Sequence, residues 1–123
     1  MRPIYMKDTG KYGRGIYAAR DIKNGEMLDE APVIISPKSE REHLKKTVLH
    51  NYFFRWDGDL AIALGYGSIF NHSYTPNARY FTNIDNQTID FYAMADIREG
   101  EEITVNYNGD PKDKSPIWFD VLD

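Results

Sequence analysis

No cysteine occurs anywhere in the 123 residues. Disulfides and cysteine-ligated zinc are thereby excluded, whatever the compartment. No run approaches the roughly 18 apolar residues of a membrane-spanning helix, and the N-terminus has no apolar core of signal-peptide length. A soluble intracellular protein is the default expectation, with no compartment named. Cations are in the minority: 15 Lys and Arg stand against 19 Asp and Glu, for a formal net charge of −4. Phosphate neutralisation needs clustered Lys and Arg, so this balance argues against direct nucleic-acid binding. It leans slightly toward a basic partner such as a lysine-rich peptide. Internal repeats and low-complexity segments are also missing. Aromatic residues are plentiful, with nine Tyr. The length suits one domain that can bury a core without staples.

Most short runs read as strands. Residues 4–7, 15–19 and 27–35 are β-branched or aromatic stretches, the last two separated by the turn Lys23-Asn24-Gly25-Glu26. Residues 52–56 and 59–64 flank Asp57-Gly58, a pair suited to the positive φ angles of a two-residue hairpin turn. A second hairpin is predicted to pair residues 79–83 with 88–94. One helix is predicted over residues 39–50, where Ser39 and Glu42 have capping-box spacing and Leu44, Val48 and Leu49 form a partial apolar stripe. The tail 110–115 is polar, and Pro116-Ile117-Trp118-Phe119 returns to large apolar groups expected to dock on the body. The class is mainly β, in several small sheets.

Three segments carry candidate chemistry. Gly13-Arg14-Gly15 lets backbone approach a ligand closely because no Cβ intervenes, or else forms a plain turn. It is not a dinucleotide fingerprint, which needs a further Gly and a following helix. Asn71-His72-Ser73 packs an amide, an imidazole and a hydroxyl into three consecutive positions before the turn-forming Pro76-Asn77. Metal binding there lacks partners: His43 and His50 are distant and there is no Cys. A Ser–His nucleophile is disfavoured because sequence neighbours do not face one another as base and nucleophile. Polar residues satisfying a buried turn remain the other reading. The third segment, 101–107, is a strand-like run ending in Tyr107. Its Glu101-Glu102 pair reads as a solvated strand start, since adjacent strand side chains point to opposite faces.

In order, the chain carries GRGIYAA, ALGYGSIFNHSYTPNA and DIREGEEITVNY. This combination resembles the SET-domain family of protein-lysine methyltransferases over roughly residues 11–119. The resemblance implies a β-clip of small sheets with a short helix and a knot-like C-terminal threading. It implies S-adenosylmethionine as cofactor and the side-chain amine of lysine in a protein, such as a histone tail, as acceptor. The Gly13, Arg14 and Gly15 backbone would line the methionine end of the cofactor, joined by Asn71, and the His72 backbone would meet the adenine edge. Tyr107 would be the catalytic tyrosine beside the methyl-transfer channel, with Tyr52 and Tyr66 as further channel walls. A SET-fold module that binds a basic peptide without useful catalysis is the rival reading.

The chain departs from the family pattern at several points. The family often has a cysteine where Tyr74 stands, and often flanks the domain with cysteine-rich zinc modules. Here a single domain over 1–123 without those modules is expected. Trp118, against the adenine, and Phe119, along the lysine channel, are the expected closure, a docked apolar tail being the alternative. The segment 36–64 is short where larger relatives insert a substrate-selecting subdomain, so specificity would rest on few contacts or on a second copy in a homodimer. Val105 stands two residues before Tyr107, where a Tyr in the family tends to limit the product to monomethyl-lysine. Val leaves room for di- or trimethylation.

Overall fold

The computed structural model describes residues 2–116. Its strands in chain order are β1 (Ile4–Asp8), β2 (Arg14–Ala18), β3 (Met27–Ser36), β4 (Phe53–Trp56), β5 (Asp59–Ala63), β6 (Asn71–His72), β7 (Ala78–Asn83), β8 (Thr88–Ala93) and β9 (Glu102–Val105). Turn chemistry explains the hairpins. Asp57 and Gly58 take φ of 45° and 88°, and their turn closes β4 on β5 with Trp56 opposite Asp59. Residues 84–87 join β7 to β8, with Gln87 at φ 53° and Asn83 opposite Thr88.

Two sheets result, ordered β1-β2-β9-β6 and β4-β5-β3-β8-β7. The ten-residue β3 links two ladders in the second sheet. Its first part, through Pro32, pairs with β8, and residues 33–36 pair with β5. Between the sheets lies one core, including Ile16, Leu28, Phe70, Ile89, Phe91, Ile103 and Val105. Phe70 stacks on Phe91 at a centroid distance of 4.4 Å, which anchors the residue immediately before β6. No helix among the described residues is long and apolar enough to cross a membrane.

The helix expected over 39–50 is not continuous. The segment forms a 3-10 turn at Lys38–Glu40, a four-residue helix α1 (Arg41–Leu44) and a second 3-10 turn at Val48–Asn51. The N-terminus of α1 has no side-chain cap, its last carbonyl at Leu44 accepts from the Thr47 hydroxyl at 2.8 Å, and none of the three pieces buries a residue. Val48 is 70% exposed. A short helix draws its stability from packing an apolar face, and among the described residues Val48 and Leu49 of this stripe stay exposed.

Gly67, in the turn between β5 and β6, shows how tightly that connection is held. A Cβ there would lie 2.6 Å from the Cβ of Ala31 and 2.7 Å from that of Ala63. Both are buried methyls on β3 and β5 and cannot swing aside. Gly67→Ala is expected to cost roughly 2 kcal/mol by overpacking, measured as a lower urea midpoint at unchanged slope.

Candidate active site

The two polar segments are brought together by β6, a strand of only two residues. It runs parallel to β9, with Asn71 beside Thr104 and His72 beside Val105. Asn77 secures the same strand from the following turn: its Nδ2 donates to the Glu102 carbonyl and its Oδ1 accepts from the Thr104 N–H, both at 2.9 Å. The backbone of 71–77 is thereby fixed on the β9 edge.

His72 is buried, and its Nδ1 accepts the Tyr107 N–H at 2.9 Å. An imidazolium would offer no acceptor there, so this contact selects the neutral ring with its proton on Nε2. Ser73 is also structural. Its Oγ accepts from the Thr75 N–H at 2.9 Å within the turn. The tripeptide is thus a scaffold for Tyr107 rather than a nucleophile. The Tyr107 hydroxyl donates to the Phe70 carbonyl at 2.6 Å. Burial pushes its phenol well above the ordinary tyrosine range, with Tyr52, Tyr80 and Glu102 adding to the effect. The side chain is a neutral hydrogen-bonding group across the physiological range.

Asn71, between the two residues bonded to Tyr107, connects to the Gly13–Gly15 segment. Asn71 Nδ2 donates to the Arg14 carbonyl at 2.9 Å and to Glu102 Oε2 at 2.8 Å, and the Tyr12 hydroxyl donates to Glu102 Oε1. Gly13 has φ 87° and open space where a Cβ would be. Gly15 is different: its missing Cβ makes room for Asn71, Glu102 and Thr9, so the close approach it permits is internal. Asn71 Oδ1 accepts no hydrogen bond among the described residues and is available to a ligand's donor.

Tyr107 also lines a groove of about 940 Å³, with Phe54, Phe70, Tyr52, Tyr80 and Val105 among its other walls. Tyr80 stands edge-on to Phe54 at 5.1 Å. Burial raises the Tyr80 phenol to about 12, opposed by the charge of Arg55. The unfolded chain would ionise this phenol near 10. Its contribution to stability is therefore complete below pH 10 and disappears as pH rises toward 12. The expected loss is about 3 kcal/mol between those limits, and Tyr80→Phe should remove that component from urea titrations.

Residues 13–108 match the family model of the SET domain. The chain belongs to the SET-domain family. A Schizosaccharomyces pombe protein named as an H3 lysine-37 specific histone-lysine N-methyltransferase is 34% identical over 120 residues, covering 96% of this chain and 78% of its own. A variant-silencing SET domain-containing protein of Plasmodium falciparum is 35% identical, covering 88% of this chain, which spans only 5% of that protein. Among solved structures, a P. falciparum protein described as a histone methyltransferase superposes with a TM-score of 0.71 at 26% identity, over 87% of this chain and 94% of that one.

Within this SET domain, Gly13, Arg14, Gly15 and Asn71 gather at one place, and Tyr107, Tyr52 and Val105 line the groove. Tyr66 is not among the groove's lining residues. It sits in the turn after β5, with the Arg2 guanidinium 4.6 Å over its ring. Trp118 and Phe119 lie outside the described residues. Three contributors escaped the sequence reading. Glu102 is half-buried and bonded to Tyr12 and Asn71 while Glu101 is exposed, so the expected alternation holds but the solvated assignment fails for Glu102. Tyr80 shares the inward face of β7 with buried Ala78, a period-two signal that was available. Phe54 gave no separate signal.

Proposed function

We propose that this SET domain transfers a methyl group from S-adenosylmethionine to the side-chain amine of a lysine in a protein substrate, histone H3 being the substrate that the relatives' names give. The observation that carries this reading is that Tyr107 lines an aromatic groove and bonds Phe70 and His72, the two neighbours of Asn71, which is itself tied to the Gly13–Gly15 segment. The cluster suits the methionine end of the cofactor: open backbone at Gly13 and a spare acceptor at Asn71 Oδ1 beside the Glu102 carboxylate match an α-ammonium. When bound, the cofactor supplies an electrophilic methyl on a sulfonium.

The chain's own task is to present a neutral amine. A free lysine is deprotonated in only about one molecule per thousand at neutral pH. Desolvation by the tyrosine and phenylalanine walls disfavours the ammonium, by roughly 3–5 units where burial is complete. The Tyr107 oxygen, its proton committed to Phe70, can accept from the amine and direct its lone pair.

Calorimetry with S-adenosylmethionine, followed by mass spectrometry of core histones and cell-extract proteins incubated with enzyme and labelled cofactor, tests the proposal. Cofactor binding with label on lysine supports it; binding without transfer would favour the non-catalytic module, and no binding would overturn it. Val105, 1% exposed at the groove wall, occupies less volume than an aromatic residue would. Exhaustive reaction is expected to reach at least dimethyl-lysine, and Val105→Tyr to stop at monomethyl-lysine. A wild-type product that never passes monomethyl would sink the roomy-channel assignment.

A further inference from the structure

The groove carries a charge opposite to that of the whole chain. Among the described residues lining it, Lys38, Arg41, Arg55 and Arg79 are cations and Asp59 alone is an anion, whereas the chain bears a formal net charge of −4. All four cations are exposed, and none forms an ion pair among the described residues. They come from three separate elements: the 38–44 turn region, β4 and β7. Asp59 Oδ1 is already engaged, accepting the Lys38 N–H at 2.9 Å. Arg79 lies over the Phe81 ring at 4.6 Å. Arg55 is close enough to the tyrosine wall for its charge to act on Tyr80.

A substrate lysine must bring its own positive charge into this ring of cations. Neighbouring cations on the substrate would compound the repulsion, and neighbouring carboxylates would relieve it within a Debye length of about 8 Å at physiological ionic strength. We infer that the groove selects lysines flanked by acidic residues, Arg55 and Arg79 being the specificity-determining pair. This rests on the lysine-methylation reading and narrows it: a lysine in an acidic context is the preferred acceptor, and a polybasic segment is disfavoured.

The test uses three peptides of equal length with one lysine each, flanked by Glu, Ser or Arg. The Glu-flanked peptide is expected to exceed the Arg-flanked one in kcat/KM by about tenfold at low salt, and by much less at about 0.5 M salt. In Arg55→Glu/Arg79→Glu the order should reverse. Equal use of the three, or preference for Arg flanks, would overturn the inference while leaving lysine methylation standing. Methylation of none of them, and of no extract protein, would remove the underlying reading instead. If duplex DNA or RNA inhibits the wild type but not the double variant, and the peptides are used equally, the cations serve phosphates and the inference falls.

Discussion

Replacing Tyr107 by Phe is expected to lower turnover about 100-fold or more, while the dissociation constant for S-adenosylmethionine changes less than threefold. The substitution keeps the ring that packs against the core and lines the groove, and removes one oxygen. That oxygen makes the 2.6 Å bond to the Phe70 carbonyl. The backbone N–H of residue 107 stays on His72 Nδ1, so the turn should survive and the cofactor side should be little disturbed. On the proposed mechanism, what is lost is a preorganised dipole that aims the amine's lone pair, and removing such a group typically costs 10²–10³ in rate, roughly 3–4 kcal/mol. Single-turnover methylation alongside calorimetry separates the two quantities. Unchanged turnover would falsify the role. A parallel loss of cofactor binding would instead mark the hydroxyl as a structural brace for β6.

A phenol held above its ordinary range also bears on the pH profile. Tyr107 cannot serve as a base near neutrality, so the rate should follow ionisation of the substrate amine alone. It is expected to rise with pH and show no descending limb attributable to this tyrosine below pH 10. An active site relying on a tyrosinate would add a second ascending limb governed by this phenol.

Legibility in the sequence followed the range of the interaction. Asp57-Gly58 specifies its turn through the φ values of two residues, so the β4–β5 hairpin was readable in advance. The 39–50 helix failed because capping spacing and an apolar stripe are local signals, whereas helix length depends on a packing partner that this segment lacks among the described residues. β6 could not have been read as a strand: two residues carry no period, and its pairing depends on β9 some 30 residues later. The motifs grouped Asn71 with Tyr107, and β6 pairs beside β9, the strand that leads to Tyr107; the role of the His72 side chain emerged only from the geometry. The same holds for Glu102, whose partner Tyr12 is 90 residues away. Tyr66 shows the converse, a tyrosine in a suggestive motif whose ring is taken by Arg2.

Gly15→Ala is expected to weaken cofactor binding about 100-fold and to destabilise the fold by roughly 2 kcal/mol. The new Cβ would lie 2.6 Å from Glu102 Oε2, 2.9 Å from Asn71 Nδ2 and 2.9 Å from Thr9 Cγ2. Each of these neighbours is pinned. Glu102 is held by Tyr12 and Asn71, Asn71 is held on the Arg14 carbonyl, and Thr9 is tied to the Gly13 carbonyl through its hydroxyl at 2.8 Å. Relief therefore requires either β2 to move away from β9 or Asn71 to leave its place. Either movement spoils the acceptor that the cluster offers, and Asn71→Ala should reproduce the affinity loss with a smaller loss of stability, since it removes the amide without inserting bulk. Measuring both variants by calorimetry and urea denaturation distinguishes a backbone that must touch the ligand from one that must make room for the asparagine. Gly15→Ala binding cofactor normally would show that Asn71 and Glu102 can yield without consequence, and would remove them from the cofactor site.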